Sequence, residues 1–325
     1  MMLRSFLRLG LLMAALMHGS AGAQQYPNQP ITLIVPYSAG GITDVSARLY
    51  AEIVSRNIGQ TIIIDNRPTG SGSVAASAVQ NAKPDGYTLL IFSAAQLATV
   101  AAMQRVSYDP VKGFAPVTIL FNGGNFLAIP FNSPAMSVAE LLEYGKRKPG
   151  GLSFGTLGAG SQAHLVGAQI AAATHTPMEF VHYRGAAQMM PDLVSGRLDV
   201  GFAAYPAAGP FFIAKTLKAL AIDAGQRLAV MPEAPTLTEL GFGVTKIKIG
   251  PDWFGLAAPA GTPPQIIQKL RDIFAEASRD ATLVRRLMES GIVVNTSAPE
   301  QMSRLMSEQW DATNQLIQAM GLRQQ

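Results

Sequence analysis

Residues 31–59 read ITLIV, then PYSAGGIT, then DVSARLYAEIVSRNI, then Gly59. Ile31 to Val35 is a short β-branched run, the pattern of a buried strand. Pro36 to Thr43 is a loop with two adjacent glycines, Gly40 and Gly41. Within Asp44 to Ile58, Val45, Leu49 and Ile53 recur every four residues, which predicts a helix with one apolar face. Gly59 is a natural C-terminal stop. The unit is strand, glycine-rich loop, helix.

The same unit reappears further along the chain. Thr61 to Asp65 reads as a strand, 66–73 as a loop, Val74 to Ala82 as a helix, and Tyr87 to Phe92 as a third strand after the Pro84-Asp85-Gly86 turn. Leu152 to Thr156 is again a strand, 157–162 a glycine-rich loop and Ala163 to Thr174 a helix. Phe180 to Tyr183, Asp199 to Ala203 and Ala219 to Ile222 extend this second series, and Trp253 to Ala258 is a late strand before mostly helical sequence from Gln265 onward. Such alternation predicts an α/β fold with mostly parallel sheets and right-handed crossovers. The chain has 325 residues, enough for two such units. Ligands of open α/β sheets bind at the carboxyl ends of the strands, so two facing units would bring both glycine-rich loops to one cleft.

Composition narrows the function. Residues 1–23 carry Arg4 and Arg8, an apolar run from Leu9 to Met17, and the small residues Ala21-Gly22-Ala23. This reads as a secretory leader removed near Ala23, and the apolar run is far short of the ~20 residues of a spanning helix. The formal charge of +4 falls to +2 without the two leader arginines. No basic run forms a stripe, so nucleic acid is not an expected partner. There is no cysteine, which excludes disulfides, thiolate metal sites and a lipidated N-terminal Cys.

Several motifs bear on chemistry. The loop Tyr37-Ser38-Ala39-Gly40-Gly41-Ile42-Thr43 bares backbone N–H groups ahead of a helix N-terminus, where an anion is stabilised without a formal cation. The alternative is a plain strand–helix turn. Gly158-Ala159-Gly160-Ser161-Gln162-Ala163 has the G-x-G-x-x-A spacing, but Glu179 precedes the next strand where a ribose-binding acid should follow it, so a second carboxylate-binding turn is preferred to a dinucleotide site and no cofactor is expected. Gly151-Leu152-Ser153-Phe154-Gly155 matches G-x-S-x-G, yet a turn, not a strand, precedes the Ser. His164, His175 and His182 form no zinc pattern. His164 either caps its loop or touches ligand, and Arg67 and Arg184 are read as loop ties. No set of residues supplies a nucleophile, a base and an orienting group, so binding is favoured over catalysis.

At these residues the chain resembles the substrate-binding proteins of tripartite tricarboxylate transporters, often called the Bug family. The resemblance runs through Tyr26-Pro27 to Pro30-Ile31, 34–37 and 40–44, Asp65-Asn66-Arg67-Pro68, Lys83-Pro84-Asp85-Gly86-Tyr87 and Tyr108-Asp109-Pro110. It continues through Gly160-Ser161 with His164-Leu165, Tyr183-Arg184-Gly185, 196–200, Trp253-Phe254-Gly255-Leu256 and Ala258-Pro259-Ala260-Gly261. It implies a two-lobed, type II-like periplasmic binding protein closing like a flytrap, with lobe 1 formed by 24–122 and 250–325 and lobe 2 by 123–249. It also implies a periplasmic protein that takes up a small carboxylate and hands it to inner-membrane transporter subunits, and a monomer is the default expectation for a receptor that must close freely. A ligand-sensing subunit for a membrane signalling protein is the alternative, and a secreted hydrolase a weaker one.

Carried over residue by residue, the family's carboxylate site points to Tyr37, Ser38, Gly40, Gly41 and Thr43 on one lobe. On the other it points to Thr156, Gly160, Ser161 and Gln162, with Ser93 and Ala94 in a further contact region. The family often has an Asp-Asn pair, whose Asp can hold a ligand amino group, where this chain has Ala203 and Ala204. That departure, with Tyr205 as an aromatic wall, predicts a ligand without an amino group, such as an aromatic or other bulky carboxylate.

Overall fold

In the computed structural model, which describes residues 26–242 and 252–319, the opening unit is present. The expected leader and the expected lobe boundary at 249–250 lie outside the described residues. β1 (Ile31–Val35) leads into α1 (Ile42–Ile58), which begins two residues earlier than the apolar spacing predicts. Gly59 closes α1 in the left-handed region (φ 68°), its N–H donating to the Ser55 carbonyl, a conformation that suits a residue without a Cβ.

The first sheet continues with β2 (Ile62–Asn66), α2 (Ser73–Gln80), β3 (Thr88–Ser93), α3 (Ala94–Met103) and β4 (Phe114–Asn122). The second sheet holds β5 (Asn125–Pro130), β6 (Leu152–Thr156), β7 (Met178–His182), β8 (Val200–Ala204) and β9 (Leu217–Asp223). Its helices are α4 (Val138–Arg147), α5 (Gln162–Thr174), α6 (Ala186–Val194) and α7 (Tyr205–Ile213). The chain then returns to the first sheet as β10 (Trp253–Pro259), α8 (Pro264–Ala277), α9 (Ala281–Glu289), β11 (Val293–Val294) and α10 (Pro299–Ala319). Among the described residues no helix is long and apolar enough to cross a membrane.

The strand orders are β11-β4-β10-β3-β1-β2 and β7-β6-β8-β5-β9. The strand–helix–strand units give the expected parallel pairs, β1 with β2 and β3, and β6 with β7 and β8. The departures are the short edge strand β11, antiparallel to β4, and the two strands that arrive from the other sheet. β10 runs antiparallel to β3 and β4, and β5 runs antiparallel to β8 and β9. β5 follows β4 with no crossover helix between them, so nothing local fixes it parallel to its neighbours. β4 passes into β5 through Gly123 and Gly124. A Cβ on Gly123 would sit 2.6 Å from Ile42 Cδ1 and 2.9 Å from Phe254 Cε2, so a side chain at this crossing would displace the loop that follows β1.

Helices cover both faces of each sheet. On the first, Tyr50 and Val54 of α1 pack with Leu270 and Phe274 of α8, while Ala76 and Val79 of α2 share the opposite face with Met302 and Met306 of α10. On the second, Leu141 and Ile170 lie over Phe154 and Phe202, and Met189, Leu193 and Phe212 lie over Phe126. Each large side chain buried in this way contributes about 1.5–3 kcal/mol. The buried Tyr50 hydroxyl is satisfied by the Leu120 carbonyl at 3.0 Å and Ser278 Oγ at 2.9 Å.

Asp199 ties β8 to β6 by accepting from Ser153 N, Ser153 Oγ and Lys148 Nζ. Burial pushes its carboxyl up, but the bonds from Lys148 and Ser153 outweigh burial and hold it below the usual range. A depressed carboxyl contributes stability that is present above its unfolded pKa and lost as pH falls through the folded one. Asp199→Asn should therefore cost about 1–3 kcal/mol at pH 7, with the difference from wild type narrowing below about pH 4, as read by urea unfolding at both pH values.

Candidate ligand cavity

Between the carboxyl ends of the two sheets lies a cavity of about 60 Å³. One water needs about 10–15 Å³ by this measure, so the space suits the polar head of a small molecule. From the first sheet it is lined by Tyr37, Ser38, Gly41, Ile42 and Thr43 of the β1–α1 turn, with Ser93, Asp252 and Phe254 beneath. Asn125 stands at the crossing. The second sheet contributes Leu157, Ser161, Gln162 and Ala163, then Gly185, Ala186 and Phe202. No Lys, Arg or His is among these lining residues.

Helix ends supply the electropositive character instead. α1 begins after Gly41 and α6 after Gly185, and neither N-terminus is capped by a side chain. Each leaves first-turn N–H groups directed out of the helix, and Gly41, Thr43, Gly185 and Ala186 all line the cavity. α5 also starts here, but Ser161 Oγ accepts from His164 N at 3.3 Å and caps it. The two uncapped ends come from different sheets. They meet through Ser38, whose hydroxyl donates to the Arg184 carbonyl at 3.2 Å.

The turn that presents α1 is held from below. Asp44 accepts from the Gly40 N–H at 2.9 Å, from Asn66 Nδ2 at 3.0 Å and from Arg48, and Asn66 also donates to the Tyr37 carbonyl at 3.0 Å.

Of the residues expected from the sequence, Tyr37, Ser38, Gly41, Thr43, Ser93, Ser161 and Gln162 line this cavity. Six others do not, each for a local reason. The Gly40 N–H is taken by Asp44. The Gly160 N–H is taken by His164 Nδ1 at 3.1 Å. Thr156 Oγ1 pairs with His182 Nδ1 at 2.6 Å. Ala94 is buried at the start of α3, and Ala203 is buried in β8 opposite Phe126. Tyr205 turns its ring onto Phe126 and the Gly209 backbone. The aromatic wall is Phe202 and Phe254.

Other singled-out residues also settle. His164 caps its loop, and burial with the neighbouring His182 pushes it down to about 4, so it is neutral with Nδ1 as acceptor. Arg67 pairs with Asp65 at 2.7 Å and Arg184 is exposed. Ser153, in the G-x-S-x-G match, is bound to Asp199.

Sequence reasoning missed Asp252 and the residues around it. Asp252 accepts from Ser93 Oγ at 2.6 and 2.8 Å and from Ala95 N at 3.3 Å. Burial first, and the nearby Asp223, push its carboxyl up to about 7 despite those bonds. Asp223 is itself pushed up by burial, against the hydrogen bond from Gln162 Nε2 at 2.8 Å. An acid heading the apolar run Trp253-Phe254-Gly255-Leu256 was the available signal. Gly185 and Ala186 were missed because the helix after Arg184 carries no capping residue.

Comparison with known proteins identifies the family. A UPF0065 protein from Pseudomonas sp. strain P51 is 31% identical over 90% of this chain and 86% of its own length. The periplasmic binding protein BugD superposes with a TM-score of 0.85 at 26% identity, over 92% of this chain and 100% of BugD. A Rhodopseudomonas palustris protein solved with adipate gives 0.84 at 31% identity (91% and 98% covered), and MatC from Rhodopseudomonas palustris with bound malate gives 0.82 at 28% (90% and 100%). The architecture is that of the two-lobed periplasmic binding proteins, as the resemblance implied. With residues 46–322 matching the tripartite tricarboxylate transporter family receptors, the chain belongs to that family, which consists of receptors and not enzymes.

Proposed function

We propose that this protein captures a small organic carboxylate in the cavity between its lobes and delivers it to membrane transporter subunits. It acts in the periplasm as a monomer after loss of its leader, with lobe 1 formed by 24–122 and 250–325 and lobe 2 by 123–249. The observation that carries the reading is the meeting of two uncapped helix N-termini, those of α1 and α6, on one cavity. Helix ends hold a carboxylate by fixed N–H donors, each worth about 0.3–1 kcal/mol and more when water is excluded. Because the donors sit on different lobes, binding and closure are one event, and opening releases the ligand. Relatives solved with malate and adipate support an acid as the ligand.

Thermal unfolding of residues 24–325 against aliphatic, aromatic, hydroxy- and amino-carboxylates tests the reading. A ligand present at a hundred times its Kd should add about 2.7 kcal/mol of stability, seen as a clear rise in Tm for a few acids. A folded protein whose Tm moves with none of them would count against carboxylate capture.

A further inference from the structure

Two acceptors line one part of the cavity, with a further carboxyl behind them. Asp252 heads β10 and lines the cavity. Asp223 ends β9 and acts electrostatically on Asp252. Gln162, only 8% exposed, also lines the cavity and gives its Nε2 to Asp223. That bond fixes which way the amide points, and its Oε1 is buried without a hydrogen-bond partner. A buried amide oxygen left unpaired is costly, and two neighbouring carboxyls with no cation among the lining residues resist ionising together. All three deficits are relieved by one group, a cation bearing several N–H donors.

Resting on the carboxylate-capture reading, we infer that this floor binds the ammonium group of an amino-substituted carboxylate, through Asp252 and Gln162 Oε1, with the carboxyl of Asp223 behind them. The helix ends of α1 and α6 take the carboxylate and the floor takes the amine, so a zwitterion balances both. A hydroxyl supplies one donor, whereas an ammonium supplies three and a positive charge, enough to serve Asp252 and Gln162 Oε1 together. Ala203 and Ala204, which suggested a ligand without an amine, remove an acid from β8. Ala204, however, lies in register with Asn125 of β5, which is in register with Asp223 of β9. The negative group is moved along the same cross-strand row to its far side.

The test is calorimetry on the mature protein with matched sets: succinate, malate and aspartate; glutarate, 2-hydroxyglutarate and glutamate; and other amino acids beside their deaminated counterparts. The amino member of the best-binding set should bind at least tenfold more tightly than its partners. Asp252→Asn, which keeps a carbonyl to accept from Ser93, should reduce that preference at least tenfold. Gln162→Met should weaken the amino acid alone. The ionisable groups acting on Asp252 are Asp223 from β9 and the phenol of Tyr37, which stays protonated. Amino-acid affinity should therefore rise from pH 6 to 8 as Asp252 ionises, while the deaminated partner's does not. If a hydroxy or unsubstituted acid binds as tightly as its amino partner, or if Asp252→Asn leaves the preference intact, the inference is wrong and carboxylate capture stands. If no set binds, both fall.

Discussion

Gly185→Ala is expected to weaken ligand binding by about 5- to 150-fold while leaving the unfolding midpoint of the unliganded protein nearly unchanged. Gly185 has φ 178°, an extended conformation that alanine adopts without strain, so the effect does not come from the local backbone. It comes from the other lobe. A Cβ at Gly185 would lie 2.7 Å from both Cβ and Oγ of Ser38, closer than real Cβ contacts allow. Ser38 is also the residue whose hydroxyl donates to the Arg184 carbonyl. Overpacking of this kind costs about 1–3 kcal/mol, and each 1.4 kcal/mol is a factor of ten. The penalty falls only on the state in which the two loops meet. A ligand that needs that state must overcome it, and the open protein does not. Calorimetry with the acid found by the thermal screen, beside unfolding of the free variant, separates the two. Unchanged affinity would mean the loops do not meet in the bound state. An equal loss of apo stability would make Gly185 a packing position and nothing more.

This contact illustrates what the sequence could carry. The βα units were legible because each strand, its glycine-rich turn and its helix are contiguous, so β1 with α1 and β6 with α5 could be read from apolar spacing alone. The donors of α1 followed from the same stretch. What was not legible depends on partners distant in the chain. Whether the Gly40 N–H faces a ligand is decided by Asp44 four residues on, and the Gly160 N–H by His164, because each amide has one proton to give. Both glycines were expected in the binding loops, and in this structure both N–H groups are paired within their own loops. The opposing partner of Ser38 lies 146 residues away. The antiparallel course of β5 and β10 and the approach of Asp223 to Asp252 follow from the crossing between sheets, which no local pattern records.

The second large effect concerns the support beneath the binding turn. Asp44→Ala should destabilise the protein by about 2–4 kcal/mol at neutral pH and weaken ligand binding as well. The Asp44 side chain is almost fully buried and accepts from the Gly40 N–H, Asn66 Nδ2 and the Arg48 guanidinium. Truncation removes the charged acceptor those donors share, and a hydrogen bond to a charged group contributes about 1.5–3 kcal/mol. It also removes an acid from the first turn of α1, worth about 0.3–1 kcal/mol against the helix dipole. The stability loss has a pH signature. Burial alone pushes the Asp44 carboxyl up, but hydrogen bonds from Arg48, Gly40 and Asn66, with the charge of Arg48, hold it below the usual range. A group depressed in the folded state stabilises above its unfolded pKa, about 3.9 for Asp, and stops doing so as pH falls through the folded value. Urea unfolding should therefore show wild type and variant well separated at pH 7 and converging toward pH 3. A constant gap would assign the loss to packing instead of charge. The loss of affinity follows because Asn66 positions the turn through both Asp44 and the Tyr37 carbonyl. Without Asp44 the turn must be ordered when the ligand binds, at the ligand's expense. A variant destabilised yet binding at wild-type affinity would show that Asn66 alone holds the donors of α1 in place.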